Sequence, residues 1–117
     1  MDDFDKLKKR FKGKSVRPRT EVQVESYLFK SVRRAGFRAV KFEDPSADGG
    51  PDRVILGPGR FIEFVETKTD VGSLSVPQKQ YQKGLRDRGY RVLVIRTKEE
   101  VDAYVRYLRS CRLLEGL

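Results

Sequence analysis

"DRVILGPGRFIEFVETK", residues 52–68, joins two short apolar runs through a Gly-Pro-Gly-Arg turn, and its second half closes on a carboxylate and an ammonium, Glu66 and Lys68. Side chains alternate along a strand, so Ile62, Phe64, Glu66 and Lys68 share one face, and Phe61, Glu63, Val65 and Thr67 the other. With Ile62 and Phe64 as anchors in the core, Glu66 and Lys68 extend the buried face, roughly 7 Å apart by the strand rise. Pairing Leu56 with Ile62 and Val54 with Phe64 matches apolar residues across the hairpin, and one step further sets Asp52 opposite Glu66. Two carboxylates and an amine then converge at one end of a small sheet. Carboxylates this close repel unless a cation lies between them, so the pattern predicts a hard-metal site. A surface pair at a fraying strand end, with Asp52 a turn residue after Pro51, would account for either motif alone. It does not account for both on opposed positions of one hairpin.

Working outward, Thr20 to Ala35 reads as a helix, with Thr20 as N-cap and Gly36 as its stop. Residues 38–43 read as a strand, and "DPSADGGP" (44–51) as a loop by its Asp, Pro, Ser and Gly content. After the hairpin comes a helix from Pro77 to Arg88, stopped by Gly89. Residues 91–96 form an apolar strand of the type buried on both faces. Thr97 and Glu100 form a capping box that opens a last helix ending near Leu114. The order α-β-β-β-α-β-α implies a mixed sheet of about four strands flanked by helices, because a hairpin is antiparallel and a helical crossover returns the chain parallel.

The 117 residues suffice for one domain, and no apolar run approaches a membrane span or a signal-peptide core, so the expected location is cytoplasmic. Histidine is absent and Cys111 is the single cysteine, which excludes imidazole or thiolate metal cages and Ser-His-Asp hydrolysis. Chemistry must run on Asp, Glu, Lys and backbone oxygens. The net charge is +9, and residues 6–19 hold eight basic residues and no acid. Residues 1–19 therefore read as a basic flexible arm in which Lys8, Lys9, Arg10, Lys12, Lys14, Arg17 and Arg19 follow a phosphate backbone, against the alternative of a solvated tail. Residues 20–117 form the folded domain.

Three more positions bear on the site. Leu28, Phe29, Val32 and Ala35 share one arc of the first helix, and Glu25 falls within it. A buried carboxylate needs a partner, so Glu25 is expected to point at a cation, at its water or at a basic side chain. Glu21, in the first turn, is explained by the helix dipole. Lys41 either lines the cleft or is a solvated strand residue. Ser75 and Gln78 form a capping box with Pro77 just inside the helix, which is enough to explain Gln78.

"GGPDRVIL", "FVETK" and "SVPQKQ", in that order after a helix bearing Glu25, resemble the VRR-NUC family of virus-type replication and repair nucleases, within the PD-(D/E)xK, restriction-endonuclease-like superfamily. The resemblance spans about residues 20 to 108. It implies metal-binding roles for Asp52, Glu66 and the Thr67 backbone carbonyl, the motif lysine at Lys68, the helix glutamate at Glu25 (toward a second metal or an outer-shell water) and the motif glutamine at Gln78. It also implies a Mg²⁺- or Mn²⁺-dependent endonuclease leaving 5'-phosphate and 3'-hydroxyl ends, and compact phage members act as homodimers on branched DNA, four-way (Holliday) junctions in particular, in replication and repair. Thr67 departs from the apolar residue usual there, a change the carbonyl tolerates and one taken to report reduced packing on that face. The rival from another class is a non-catalytic DNA-structure-binding adaptor.

Overall fold

A computed structural model describes residues 21–115. Helix α1 (Glu21–Arg34) leads into strand β1 (Arg38–Lys41), then β2 (Arg53–Gly57), β3 (Phe61–Thr67), α2 (Val76–Asp87), β4 (Arg91–Ile95) and α3 (Lys98–Glu115). The four strands lie in chain order in one sheet. β1, β2 and β3 are antiparallel neighbours, and β4 pairs parallel to β3 after the α2 crossover. Element order and strand directions follow the sequence reading. The basic arm and Thr20 lie outside the described residues. Among the described residues, no helix is long and apolar enough to cross a membrane.

The hairpin adopts the expected register, with Leu56 opposite Ile62 and Val54 opposite Phe64. Gly59 and Arg60 close its turn with φ of 67° and 64°, a left-handed path that glycine enters without steric cost. α1 ends at Gly36, whose φ of 86° lets the Phe37 amide donate back to Val32 at 3.1 Å. α3 starts as read: Thr97 Oγ1 accepts from the Glu100 amide at 3.1 Å. The Glu100 carboxylate reaches back one residue further than a capping box requires, to the Arg96 amide at 2.6 Å.

The main core does not lie on the face that carries Ile62 and Phe64. α1 and α3 pack over the other face, where Val24, Leu28, Val32, Ile55, Val65, Ile95, Val101, Tyr104 and Leu108 are buried. Thr67, expected to mark reduced packing, is 1% exposed, and Ile62 is 41% exposed. The reason is that Glu63 and Thr67, which make this face look polar in sequence, are both supplied with partners. Glu63 accepts from the hydroxyls of Tyr104 at 2.8 Å and Tyr107 at 2.6 Å and pairs with Arg91 at 3.4 Å, so its charge is tolerated in the interior. Phe64 is buried under a separate aromatic cluster on the far face, in edge contact with Phe42 and Tyr90, and Phe42 in turn meets Tyr81 of α2. Phe29, placed on the apolar arc of α1, stands at the sheet margin with the Arg53 guanidinium 5.3 Å from its ring centre.

Candidate active site

The ladder between β2 and β3 ends at Arg53 opposite Val65, so Asp52 and Glu66 are the next residues out. Glu66 is nonetheless 2% exposed, because β4 lies on its other side with Val94 as its partner. The Asp52 carboxyl comes within hydrogen-bonding reach of the Glu66 carboxyl. The two acids that the sequence placed side by side are therefore together.

Each carboxyl is held by a separate device. Asp52 Oδ2 accepts from the Thr67 amide and from Thr67 Oγ1, both at 2.7 Å. Thr67 thus contributes a hydroxyl where the sequence reading used only its carbonyl. Glu66 Oε1 accepts from Gln78 Nε2 at 2.8 Å. The same Gln78 side chain accepts the Ser75 backbone amide at 2.8 Å through its oxygen, while the Gln78 backbone amide donates to Ser75 Oγ at 3.2 Å. The cap and the site do not compete: one end of the amide closes the helix, and the other orients the carboxylate. The loop bearing Asp52 is pinned to α2 by the Tyr81 hydroxyl, which donates to Asp44 at 2.8 Å, and by Gly49. Gly49 has φ of 87°, and a Cβ there would collide with the backbone of Pro77 and Gln78. The sequence showed a glycine-rich loop at this point, but not the contact that requires it.

Lys68 lies just beyond the strand, its amide donating to Ile95 at 3.0 Å to extend the parallel ladder. Its side chain is 15% exposed, with Nζ 4.0 Å from Glu21 Oε1. The Arg96 guanidinium donates to the carbonyls of Thr69, at 2.9 Å, and Gly72, fixing the segment that follows. Of the partners expected for Glu25, the structure supplies the basic side chain: Arg53 Nε lies 3.0 Å from Glu25 Oε1. It is Glu21, one turn earlier, whose charge acts on both Lys68 and Glu66. Sequence reasoning passed over Glu21 because the helix dipole already accounted for it. Lys41 is solvated on the outer strand, 3.3 Å from Glu43.

The second Glu66 oxygen, Oε2, is buried without a hydrogen-bond partner. Burial, then the shared hydrogen bond and charge of Asp52, push the Glu66 carboxyl up to about 8, with Lys68 pulling the other way. A carboxyl pair with an unpartnered buried oxygen calls for a proton or a cation, and a divalent cation with oxygen ligands fits both the donor type and the charge. Among the described residues no group of three or more acidic, histidine or cysteine side chains is arranged around an ion. Asp52 and Glu66 would hold it together with backbone, water or phosphate oxygens.

No family model matches the chain. A solved structure described as a VRR_NUC domain superposes with a TM-score of 0.70 at 24% identity, over 76% of this chain and 98% of that one. The sheet order, the flanking helices and this likeness define a restriction-endonuclease-like α/β domain. The "Putative nuclease p44" of Acyrthosiphon pisum secondary endosymbiont phage 1 is 32% identical over 79 residues, 68% of this chain and 85% of the relative. The chain belongs to the VRR-NUC family of nucleases.

Two outcomes follow from this geometry. The Glu66 carboxyl titrates at about 8 when folded against an ordinary value of 4.5, so between these the native state binds more protons than the unfolded one. Stability of the metal-free protein therefore falls as pH rises through that window, and urea denaturation in EDTA at its two ends should show the lower midpoint at the alkaline end. Gln78→Glu keeps an acceptor for the Ser75 amide but places a second charge on Glu66. In thermal melts it should lower the metal-free melting temperature, because a carboxylate replaces the donor to buried Glu66, and Mg²⁺ should raise the midpoint by more than it does in the parent.

Proposed function

We propose that this domain is a Mg²⁺- or Mn²⁺-dependent endonuclease that hydrolyses phosphodiester bonds in DNA. The Asp52–Glu66 pair, with Glu66 buried and one of its oxygens unpartnered and with Lys68 beside it, is the observation that carries this reading. A DNA-binding adaptor has no use for such a pair, because carboxylates repel phosphate unless a cation intervenes.

A cation held by Asp52, Glu66 and the Thr67 carbonyl would polarise the scissile phosphate and lower the pKa of a water bound to it. Lys68 would hold that attacking water in line and offset charge growing on the phosphoryl oxygens. Gln78 keeps Glu66 in one rotamer, and Thr67 does the same for Asp52, so neither carboxylate must reorganise when substrate arrives. Glu21 sets the field around Lys68. Glu25 acts through Arg53, and a direct part at a second ion would require it to leave that partner.

Branched DNA, four-way junctions above all, is the substrate this reading favours, by the resemblance of the hairpin motifs to compact phage members of the family. One such domain carries one centre, so cutting symmetry-related strands of a junction calls for a second copy, and a homodimer completes the proposal. Replication or repair of phage DNA is the matching role. With a labelled four-way junction and Mn²⁺, Asp52→Ala and Glu66→Ala should each lower the nicking rate by about a hundredfold or more. Variants that cleave like the parent would remove the proposed site. A parent that binds the junction equally with and without EDTA and never cuts it would point to the adaptor.

A further inference from the structure

A groove with a volume of about 600 Å³ runs along the outer edge of the sheet, between α1 and β1. Its walls include Phe29, Arg33, Arg38, Val40, Lys41 and Arg53. Arg53 follows Asp52 in the chain but turns to the opposite face of the sheet from Glu66, and Lys41 is its ladder partner, so this end of the groove is level with the carboxyl pair along the strands, on the α1 side. Arg38 is three residues further along β1, about 10 Å away by the strand rise. Side chains alternate along β1, so Arg38 and Val40 turn to the face that carries Glu66 and Lys41 to the α1 face, and the cations flank the groove from both sides of this edge strand. Arg33, Arg38 and Lys41 are exposed, and Glu43 forms a solvent-facing pair with Lys41 at 3.3 Å. Such a pair stabilises by little and exchanges readily for another anion. Between the cations, Phe29 and Val40 are 38% and 37% exposed, an apolar surface suited to a sugar or a base.

We propose that this groove binds a single strand of nucleic acid, holding the segment that flanks the cut while its phosphates follow Lys41, Arg38 and Arg33. The inference rests on the reading that the chain acts on nucleic acid, and it adds which part of the substrate is held and where. The volume, in the range of a small-ligand site, admits about one or two nucleotides at a time, and a duplex does not enter it. Cations interleaved with apolar side chains complement a flexible polyanion carrying bases, which an acidic protein segment is not.

The test uses anisotropy of a short labelled oligothymidylate with the full chain in EDTA, so that no cleavage is needed. Replacing Arg33, Arg38 and Lys41 together by Ser should reduce the steepness of log K against log salt by about two and weaken binding at moderate salt by about tenfold. Arg106→Ser with Arg109→Ser, on exposed positions of α3, should change neither. Arg33→Lys with Arg38→Lys should keep the parental slope, and unchanged thermal midpoints should accompany all three variants. The proposal is overturned if the Ser variant binds like the parent, if the α3 variant loses as much, or if an oligoglutamate competes as well as the oligonucleotide. A parent that binds the oligonucleotide through this groove yet cleaves nothing would sink the nuclease reading and leave the groove standing.

Discussion

Two carboxyl groups held side by side, Glu66 buried and Asp52 half-buried, are the constraint to which the rest of the domain answers. Asp52 and Glu66 repel by an amount on the order of a few kcal/mol when both are charged, and burial adds to the cost. Folding alone cannot make such a pair comfortable. It can only make the separation unavailable, by tying each carboxyl to a donor that is itself fixed in place. The Thr67 amide and hydroxyl do this for Asp52, and the Gln78 amide does it for Glu66. What remains unsatisfied is one buried oxygen, and that oxygen is where chemistry can enter.

The parts of the fold are arranged around this pair. The hairpin register brings the acids level, β4 closes the outer side of Glu66, and α2 delivers Gln78 through the same side chain that caps its first turn. Gly49 allows the Asp52 loop to lie directly on the start of α2, so strand pairing and helix capping meet at one place. α1 contributes from the other side of the sheet: Glu21 at its start approaches Lys68, and Glu25 fixes Arg53, the residue after Asp52. Repulsion at the site is offset by a core built largely on the opposite face.

Much of this was legible in the sequence. Element order, the mixed sheet and the hairpin register follow from turn residues and the matching of apolar positions, and the register in turn predicts that Asp52 and Glu66 meet. The choice of core face was not legible. Glu63 and Thr67 made the true core side look solvent-facing, and their partners Tyr104, Tyr107, Arg91 and Asp52, distant in sequence, reveal why polar residues belong there. The same limit applied to the helix: Glu25 had the apolar neighbours that suggest a site, but Arg53 claims it, and Glu21 reaches the site because of where α1 begins over β3. Gln78 illustrates the opposite case, in which a sufficient local explanation, the cap, concealed a second contact made by the other end of the same group.

The central proposal is that the pair, with the Glu66 carboxyl pushed up to about 8 by burial and by Asp52, exchanges a proton for a divalent cation. Calorimetric titration of the folded protein with Mn²⁺ near neutral pH, repeated in buffers of different ionisation enthalpy, measures both at once. Saturable binding with release of about one proton, lost in Glu66→Ala, is the predicted result. Absence of saturable binding, or binding that Glu66→Ala leaves intact, would contradict it.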